Sequence, residues 1–218
     1  LLKRNLIEWI HTSSYQAISG AGSKAIEALF EDLSLISSST QKSSGDLLKK
    51  IDLAHNALSE KELPRLGANI LPWIDSEESI GKTREEAKGE RETNKILGKN
   101  SKLPVDGTCV RVPVLRSHSQ TLTLCLKKEF STKEIENLIA EANPWVKVIE
   151  NKKDPTLVGL TPTLSSSTLN ILVGRIRKLE LPGTLYEVFT VGDQLLWGAA
   201  EPVRRAFQLT LDFLLKKR

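Results

Sequence analysis

Hydrophobic residues recur at three- and four-residue intervals in two stretches of the chain, the spacing that aligns side chains on one face of an α-helix. The first stretch predicts a helix over residues 23–35 and rests on four side chains: Ile26, Leu29, Phe30 and Leu33. The second runs from Gln194 to Leu215 and is disturbed at Pro202. It predicts a long C-terminal helix with a broad apolar stripe.

Two capping boxes predict where two further helices begin. In the first, Thr83 is the N-cap and Glu86 reaches back to it, and Gly98 is suited to end the same helix. This frames a helix over 84–97. The second box occupies residues 131–134, and an Asn-Pro pair ends the helix that follows it.

Runs rich in β-branched and other apolar residues predict five strands. They cover residues 108–115, 119–128, 145–150, 171–179 and 185–191. The strands cluster between helices without strict alternation, which favours an α+β fold with a mixed, largely antiparallel sheet. A run of serine, threonine and glycine at 37–45 predicts a polar surface loop.

The bulk composition is that of an ordinary globular protein. The chain has 218 residues, of which 39% are hydrophobic and 27% charged, and this length predicts one domain, 1–218. The net charge of +4 is spread without a basic block, so nucleic acid is a poor partner, and only a weak preference for anionic small molecules follows. No apolar run reaches the length of a membrane span and no signal peptide is present, which predicts a cytoplasmic protein without a membrane partner.

Methionine is absent from the whole chain, including position 1. The first nine residues already resemble the middle of an apolar element. We therefore expect the chain to be a piece of a longer protein.

Two polar side chains interrupt apolar runs in a way that packing does not require. On one unbroken strand, Arg111 and His118 would point to opposite faces of the sheet because they differ by seven positions. Pro113 and the polar residues 116–119 provide a turn or bulge that could bring them to one site. The alternatives are an arginine paired with a carboxylate and a hydrogen-bonded turn histidine.

Other candidate residues carry weaker signals. Glu92 and Lys95 lie three residues apart on one face of the predicted helix, where a solvated ion pair is the alternative. Gln16 precedes a glycine pair and a helix, and such a turn can present N–H groups to an anion or be merely tight. Cys109 and Cys125 lie inside apolar runs, so we interpret both as buried structural thiols and reject a Cys–His dyad. No zinc spacing, Walker loop or GxGxxG motif occurs, so no metal is predicted.

Taken together, several stretches resemble the C-terminal portion of aspartate-β-semialdehyde dehydrogenase of the Gram-negative bacterial type. In chain order they read SSYQAISGAG, NILPWID, ETNKIL, LPVDGTCVRVPVLRSHSQTLTLCLKK, ANPWVKVI, VGRIRKLE and TVGDQLLWGAAEPVRR. The resemblance implies an α+β substrate-binding domain like the C-terminal domain of glyceraldehyde-3-phosphate dehydrogenase, with a sheet used in a homodimer contact. It also implies a C-terminal helix, 194–218, that returns to a cofactor-binding domain.

The family reduces β-aspartyl phosphate with NADPH to aspartate β-semialdehyde and phosphate, on the route to lysine, methionine and threonine. The resemblance implies that His118 is the general acid/base and that Arg111 binds the substrate carboxylate. It implies that Glu92 receives the amino group of the substrate and that Lys95 helps to hold the phosphate. The remaining implied roles are those of two glutamines: Gln16 would orient the acyl intermediate, and Gln194 would approach the nicotinamide of NADP.

One departure from the family matters for activity. The nucleophile of the family is a cysteine in an Asn-Cys-x-Thr context, and neither that motif nor the glycine-rich dinucleotide loop of the N-terminal Rossmann half is in this sequence. We therefore expect the chain alone to be inactive. The alternatives are a non-catalytic homologue kept as a dimerisation or scaffold module, and a related acyl-phosphate reductase with another substrate.

Overall fold

The protein is described from a computed structural model that covers residues 1–41, 43, 45–59, 65–98 and 102–216. A mixed sheet of six strands has helices packed on it, in the order β4-β1-β5-β8-β7-β6. The strands of this sheet are β1 (Ile7–Gln16), β4 (Val105–Arg111), β5 (His118–Leu126), β6 (Val146–Val148), β7 (Ile171–Lys178) and β8 (Leu185–Gly192). A separate short hairpin consists of β2 (Glu77–Ser79) and β3 (Lys82–Thr83). The predicted α+β class is confirmed.

Seven α-helices are found among the described residues. They are α1 (Ser23–Gln41), α2 (Leu47–Ser59), α3 (Arg84–Leu97), α4 (Thr132–Ala140), α5 (Lys153–Gly159), α6 (Pro162–Ser165) and α7 (Glu201–Leu215). A π-helical turn, Leu196–Ala200, immediately precedes α7 and its Pro202. The disturbance predicted at this proline is therefore a wide helical turn, which accommodates the missing proline N–H.

The pairing of the last strands gives the sheet its mixed character. β8 runs antiparallel to both β5 and β7, whereas β6 runs parallel to β7. The β5–β8 register places His118 opposite Gly192. The first residue of β5 and the last residue of β8 therefore meet at the same end of these two central strands.

The chain divides into two compact units. One comprises Leu1–Thr12, Leu103–Val105 and Arg116–Arg218, and the other comprises Ser13–Lys102 and Asp106–Leu115. We call them the sheet unit and the helical unit. The sheet unit has a core in which Ile135 and Tyr186 have no exposed surface.

The helical unit has a smaller apolar core of Ile18, Leu29 and Leu66. Next to it, the buried carboxylate of Asp32 pairs with Arg65 and accepts a 3.0 Å hydrogen bond from the Gly67 amide. A Cβ atom at Gly67 would lie 2.6 Å from Asp32 Cβ, so glycine is required for this approach.

Local signals predicted the helix starts well. Both capping boxes are present, at Thr83 and Ser131, and helix α3 has the predicted bounds. The polar loop predicted for 37–45 is wrong in part, because α1 continues through residues 37–41; residues 42 and 44 lie outside the described chain. The hydroxyl groups of Ser38 and Thr40 donate to carbonyls one turn earlier, which accommodates these polar residues in a helix.

Strand β1 was not predicted. Its residues IEWIHTSSYQ include a run of four polar side chains and do not alternate regularly between buried and exposed. Its place in the interior of the strand order, between β4 and β5, supplies pairing that the side-chain pattern does not reveal.

Candidate functional site

In the helical unit, Gln16 ends β1 with only 9% of its surface exposed. Its Nε2 donates to Glu85 Oε1 at 3.1 Å and lies 3.5 Å from Ser14 Oγ. Glu85 also accepts a hydrogen bond from Lys88 Nζ at 2.8 Å, and Lys88 in turn contacts Asp75. These contacts direct the amide nitrogen of Gln16 into the protein, so its amide oxygen is the atom suited to meet a ligand.

Arg111 ends β4 and is half-buried. Its backbone N–H and C=O pair with Leu71, and its Nη1 donates to the Ala17 carbonyl at 2.8 Å. In the described part of the chain, no carboxylate lies within ion-pair distance of this guanidinium. Burial lowers its pKa, and the negative field of Glu85 only partly offsets that effect. The alternative of an arginine paired with a carboxylate is therefore not what is found.

Helix α3 is tied to the same strand by its first turn. Glu86 completes the capping box with one oxygen and accepts from the Cys109 amide with the other, at 3.0 Å. Glu85, its neighbour, is thereby held beside Gln16. The capping motif found in the sequence thus also docks the helix against β4.

Glu92 and Lys95 lie in the last turns of α3 and are exposed. Since the helix repeats every 3.6 residues, Glu92 continues the face of Glu85, about 10 Å further along the axis. Among the described residues, neither Glu92 nor Lys95 has a hydrogen bond or an ion pair. The solvated ion pair between the two is thus not formed, and both charges remain available to a ligand.

In the sheet unit, His118 begins β5 and is half-buried. The residues from 112 to 117 are irregular, so the chain does break between β4 and β5 where Pro113 predicted it. Ser117 has a left-handed backbone (φ 73°) and a 2.9 Å contact with the Ser166 hydroxyl. That Arg111 and His118 face one cleft stays a prediction.

Gln194 follows β8 by two residues and starts the C-terminal helix. The residue before it, Asp193, is fully buried and accepts three hydrogen bonds, one of them from Arg116. The sheet unit thus brings His118 and Gln194 to the same end of β5 and β8. The helical unit brings Gln16, Arg111 and the charged face of α3 together.

The two cysteines are buried thiols, as predicted. Burial is the main cause that raises the pKa of Cys109. Burial and the neighbouring Glu8 carboxylate, which accepts from Cys125 Sγ at 3.3 Å, raise the pKa of Cys125. A raised pKa disfavours the thiolate, so neither side chain has the character of an activated nucleophile.

Some residues of these clusters were not singled out from the sequence, among them Glu85 and Asp193. Glu85 was visible only as part of a capping box, and Asp193 only as a letter of the VGDQLLWG stretch. The usable signal for Asp193 was its position: an aspartate that directly follows an apolar strand and precedes a candidate ligand-binding glutamine. Such a carboxylate needs a specific set of donors if the fold buries it.

The start of the C-terminal helix is anchored by an aromatic cluster. The guanidinium of Arg205 lies 4.6 Å from the Trp145 ring centre and 4.9 Å from that of Trp197. Arg204 and Arg205 both donate to Glu201, which lowers the pKa of its carboxyl to about 2. The Gln194 end of this helix is therefore held by cation–π and charged contacts.

The remainder of the helix is largely unpacked. Four residues of the predicted apolar stripe have high exposed fractions: Val203 70%, Phe207 68%, Leu211 39% and Leu214 56%. Within the described residues, no helix combines the length and the apolar character needed to cross a bilayer. No group of His, Cys, Asp or Glu side chains in those residues is arranged to hold a metal ion.

Residues 1–197 match the family described as "Semialdehyde dehydrogenase, dimerisation domain", and the chain belongs to this family. The resemblance predicted from the sequence is confirmed.

Solved structures point to aspartate semialdehyde dehydrogenase in particular. The enzyme from Francisella tularensis is 45% identical with a TM-score of 0.91, and the match covers 96% of this chain and 59% of that one. Aspartate semialdehyde dehydrogenase II from Vibrio cholerae, solved as a complex with ASA, is 24% identical with a TM-score of 0.75 and coverages of 97% and 57%. The enzyme from Candida albicans, solved with NADP, is 19% identical with a TM-score of 0.55 and coverages of 87% and 46%. The last two support the fold alone.

Proposed function

We propose that the chain is the substrate-binding and dimerisation domain of an NADP-dependent aspartate-β-semialdehyde dehydrogenase. The reaction reduces β-aspartyl phosphate to aspartate β-semialdehyde and releases phosphate, in the biosynthesis of lysine, methionine and threonine. The observation that carries the proposal is the half-buried Arg111 guanidinium, whose Nη1 donates to the Ala17 carbonyl and which has no carboxylate partner in the described chain. The Francisella enzyme, 45% identical over 96% of this chain, supports the choice of substrate.

Arg111 binds the α-carboxylate of the substrate in this proposal. A half-buried cation is costly unless an anion compensates it, and a planar guanidinium matches a carboxylate with two parallel hydrogen bonds. The Ala17 carbonyl fixes one Nη1 hydrogen and so orients the fork. Burial strengthens the attraction because fewer water molecules screen it.

His118 gives a proton to, or takes it from, the oxygen of the reacting carbonyl. An imidazole suits this task because its ordinary pKa lies close to neutral pH. Gln16, with its amide nitrogen turned toward Glu85, presents its amide oxygen to the acyl group. Glu92 receives the substrate ammonium, and Lys95, three residues further along the same helix, holds the phosphate.

NADPH would supply the hydride for the reduction when it is bound. The Gln194 carboxamide suits it, because this group can both donate to and accept from a nicotinamide carboxamide. Gln194 stands at the anchored start of the C-terminal helix, so its backbone position is well defined. The 218 residues contain no glycine-rich dinucleotide loop for the rest of the cofactor.

The purified 218-residue chain should show no NADP-dependent oxidation of aspartate β-semialdehyde in the presence of phosphate. Covalent catalysis needs an activated thiol, and the two cysteines present are buried with raised pKa values. Following NADPH absorbance with the chain and with a Cys109→Ser variant checks this. Turnover that Cys109→Ser abolishes would show that Cys109 is the nucleophile after all.

The proposal itself is tested with the enzyme that contains this chain together with its nucleophile-bearing domain. We expect NADPH formation that requires aspartate β-semialdehyde, NADP and phosphate together. A preparation that folds, binds none of the three and forms no NADPH would favour a non-catalytic scaffold instead.

The exposed stripe on α7 predicts self-association of the 218-residue chain. Leaving several large apolar side chains in water costs about 1.5–3 kcal/mol each, which burial against a second copy recovers. Analytical ultracentrifugation at micromolar concentration should show dimers or larger species. Self-association should be weaker in a version that ends at Glu201. It should also be weaker in the 218-residue chain with the double substitution Phe207→Gln/Leu214→Gln. Monomers in every case would contradict both the homodimer and this role of the helix.

A further inference from the structure

The carboxylate of Asp193 connects three separate segments of the sheet unit, although none of its surface is exposed. Its Oδ2 accepts from Arg116 Nε at 2.8 Å and from the Ser167 amide at 2.7 Å. Its Oδ1 accepts from the Leu195 amide at 3.0 Å. A buried carboxylate is stable only with such donors, so the three segments are held in one arrangement.

These contacts lie next to two residues of the proposed site. Arg116 precedes His118 by two positions, and Asp193 immediately precedes Gln194. The pairing of His118 with Gly192 brings the same two chain segments together through the backbone. The Asp193 carboxylate therefore connects the segment just before His118 with the turn that carries Gln194.

We propose that Asp193 is a positioning residue of the dehydrogenase site, acting together with Arg116. The proposal rests on the function proposed above and adds how the acid/base group and the cofactor contact are held relative to one another. The acid/base group acts at the carbonyl oxygen and the cofactor acts at the carbonyl carbon. Both must therefore be correctly placed at the same time. A displacement of about 1 Å can lower the rate of such a reaction by about 10²-fold.

The chain provides a matched control for loss of a buried carboxylate. Asp32 is also buried, also pairs with an arginine, and also accepts from a backbone amide, that of Gly67. It lies in the helical unit, as Gln16 and Arg111 do, but its hydrogen bonds and ion pair go to that arginine and that amide and, within the described chain, to none of the proposed site residues. Asp32→Asn and Asp193→Asn therefore make the same chemical change, one outside the proposed site and one beside it.

The test measures kcat and KM in the complete enzyme at a temperature where all variants are folded. We expect Asp193→Asn to lower kcat by roughly 10- to 100-fold, with KM for aspartate β-semialdehyde little changed, and Asp32→Asn to leave kcat near wild type. Arg116→Met, at a partly exposed position that perturbs folding less, should lower kcat in the same direction by a smaller factor. Equal effects of Asp32→Asn and Asp193→Asn on kcat would overturn the proposal.

A double-substitution cycle separates this proposal from the function on which it rests. In a His118→Ala background, Asp193→Asn should lower kcat less than it does alone, because one of the two groups it positions is gone. Full additivity would show that Asp193 does not position His118 and would overturn the proposal, while leaving the dehydrogenase intact. If His118→Ala itself has no effect, the proposed function fails first.

The contacts are also testable without turnover, by amide hydrogen exchange in the 218-residue chain. The Ser167 and Leu195 amides should lose protection in Asp193→Ala and keep it in Asp32→Asn. Unchanged protection of both amides in Asp193→Ala would show that the carboxylate does not hold these segments, and would overturn the proposal.

Discussion

His118→Ala is expected to lower the turnover of the complete enzyme by about 10²- to 10⁴-fold, the usual contribution of a positioned general acid/base. The Michaelis constant for aspartate β-semialdehyde should change much less, because in the proposed mechanism the imidazole acts on the reacting oxygen and not on the charged ends of the substrate. Steady-state kinetics of NADPH formation measure both constants. The chain contains only three histidines, so only two others are available as control positions.

His55→Ala is the control for this substitution. His55 lies on the exposed side of α2 and, in the described part of the chain, has no hydrogen bond or ion pair to a residue given a role here. It should leave turnover and the Michaelis constant near wild type. If His118→Ala behaves like His55→Ala, the acid/base assignment is wrong and His118 is merely a hydrogen-bonded residue at the start of a strand.

Arg111→Leu is expected to raise the Michaelis constant strongly and to change turnover less. Hydrogen bonds to a charged group contribute about 1.5–3 kcal/mol. Since about 1.4 kcal/mol corresponds to a tenfold change in binding, the loss of the guanidinium should weaken substrate binding by roughly 10- to 150-fold. Leucine keeps much of the apolar volume of the arginine stem, so the effect reports mainly on charge.

Two further substitutions make the Arg111 result specific. Arg111→Lys keeps the charge but loses the planar fork, and should give an intermediate Michaelis constant. Arg177→Leu removes a strand arginine that already pairs with Glu187, and should leave substrate binding unchanged. Equal Michaelis constants for Arg111→Leu and wild type would mean that the guanidinium serves the fold, through the Ala17 carbonyl, and not the substrate.

Local sequence signals predicted those elements whose ends depend on neighbouring residues. The box of Thr83 and Glu86 defined the start of α3 because both hydrogen bonds close within four residues. The predicted strands 108–115 and 119–128 correspond to β4 and β5 with shifts of one to four residues at their ends. Strand ends depend on partners far away in the chain, so their bounds are less well encoded locally.

Two elements rich in polar residues were not fully predicted from the sequence: strand β1 was missed, and helix α1 was predicted too short. Strand β1 carries a His-Thr-Ser-Ser run that does not resemble a strand by pattern. Helix α1 extends into serines whose hydroxyl groups bond to carbonyls of the preceding turn. In both cases hydrogen bonds formed only in the folded chain compensate for a weak or contrary local preference.

The kinds of side chain needed for the chemistry were determined by the sequence alone: a guanidinium and an imidazole interrupting apolar runs, and charges at helical spacing. The tertiary structure alone decided which of them are available. Burial without a carboxylate partner distinguishes Arg111 from arginines such as Arg177, and contacts across the fold turn the Gln16 amide and bury Asp193. Such availability depends on groups distant in the sequence, because desolvation and hydrogen-bond partners are set by packing and not by the neighbours of a residue along the chain.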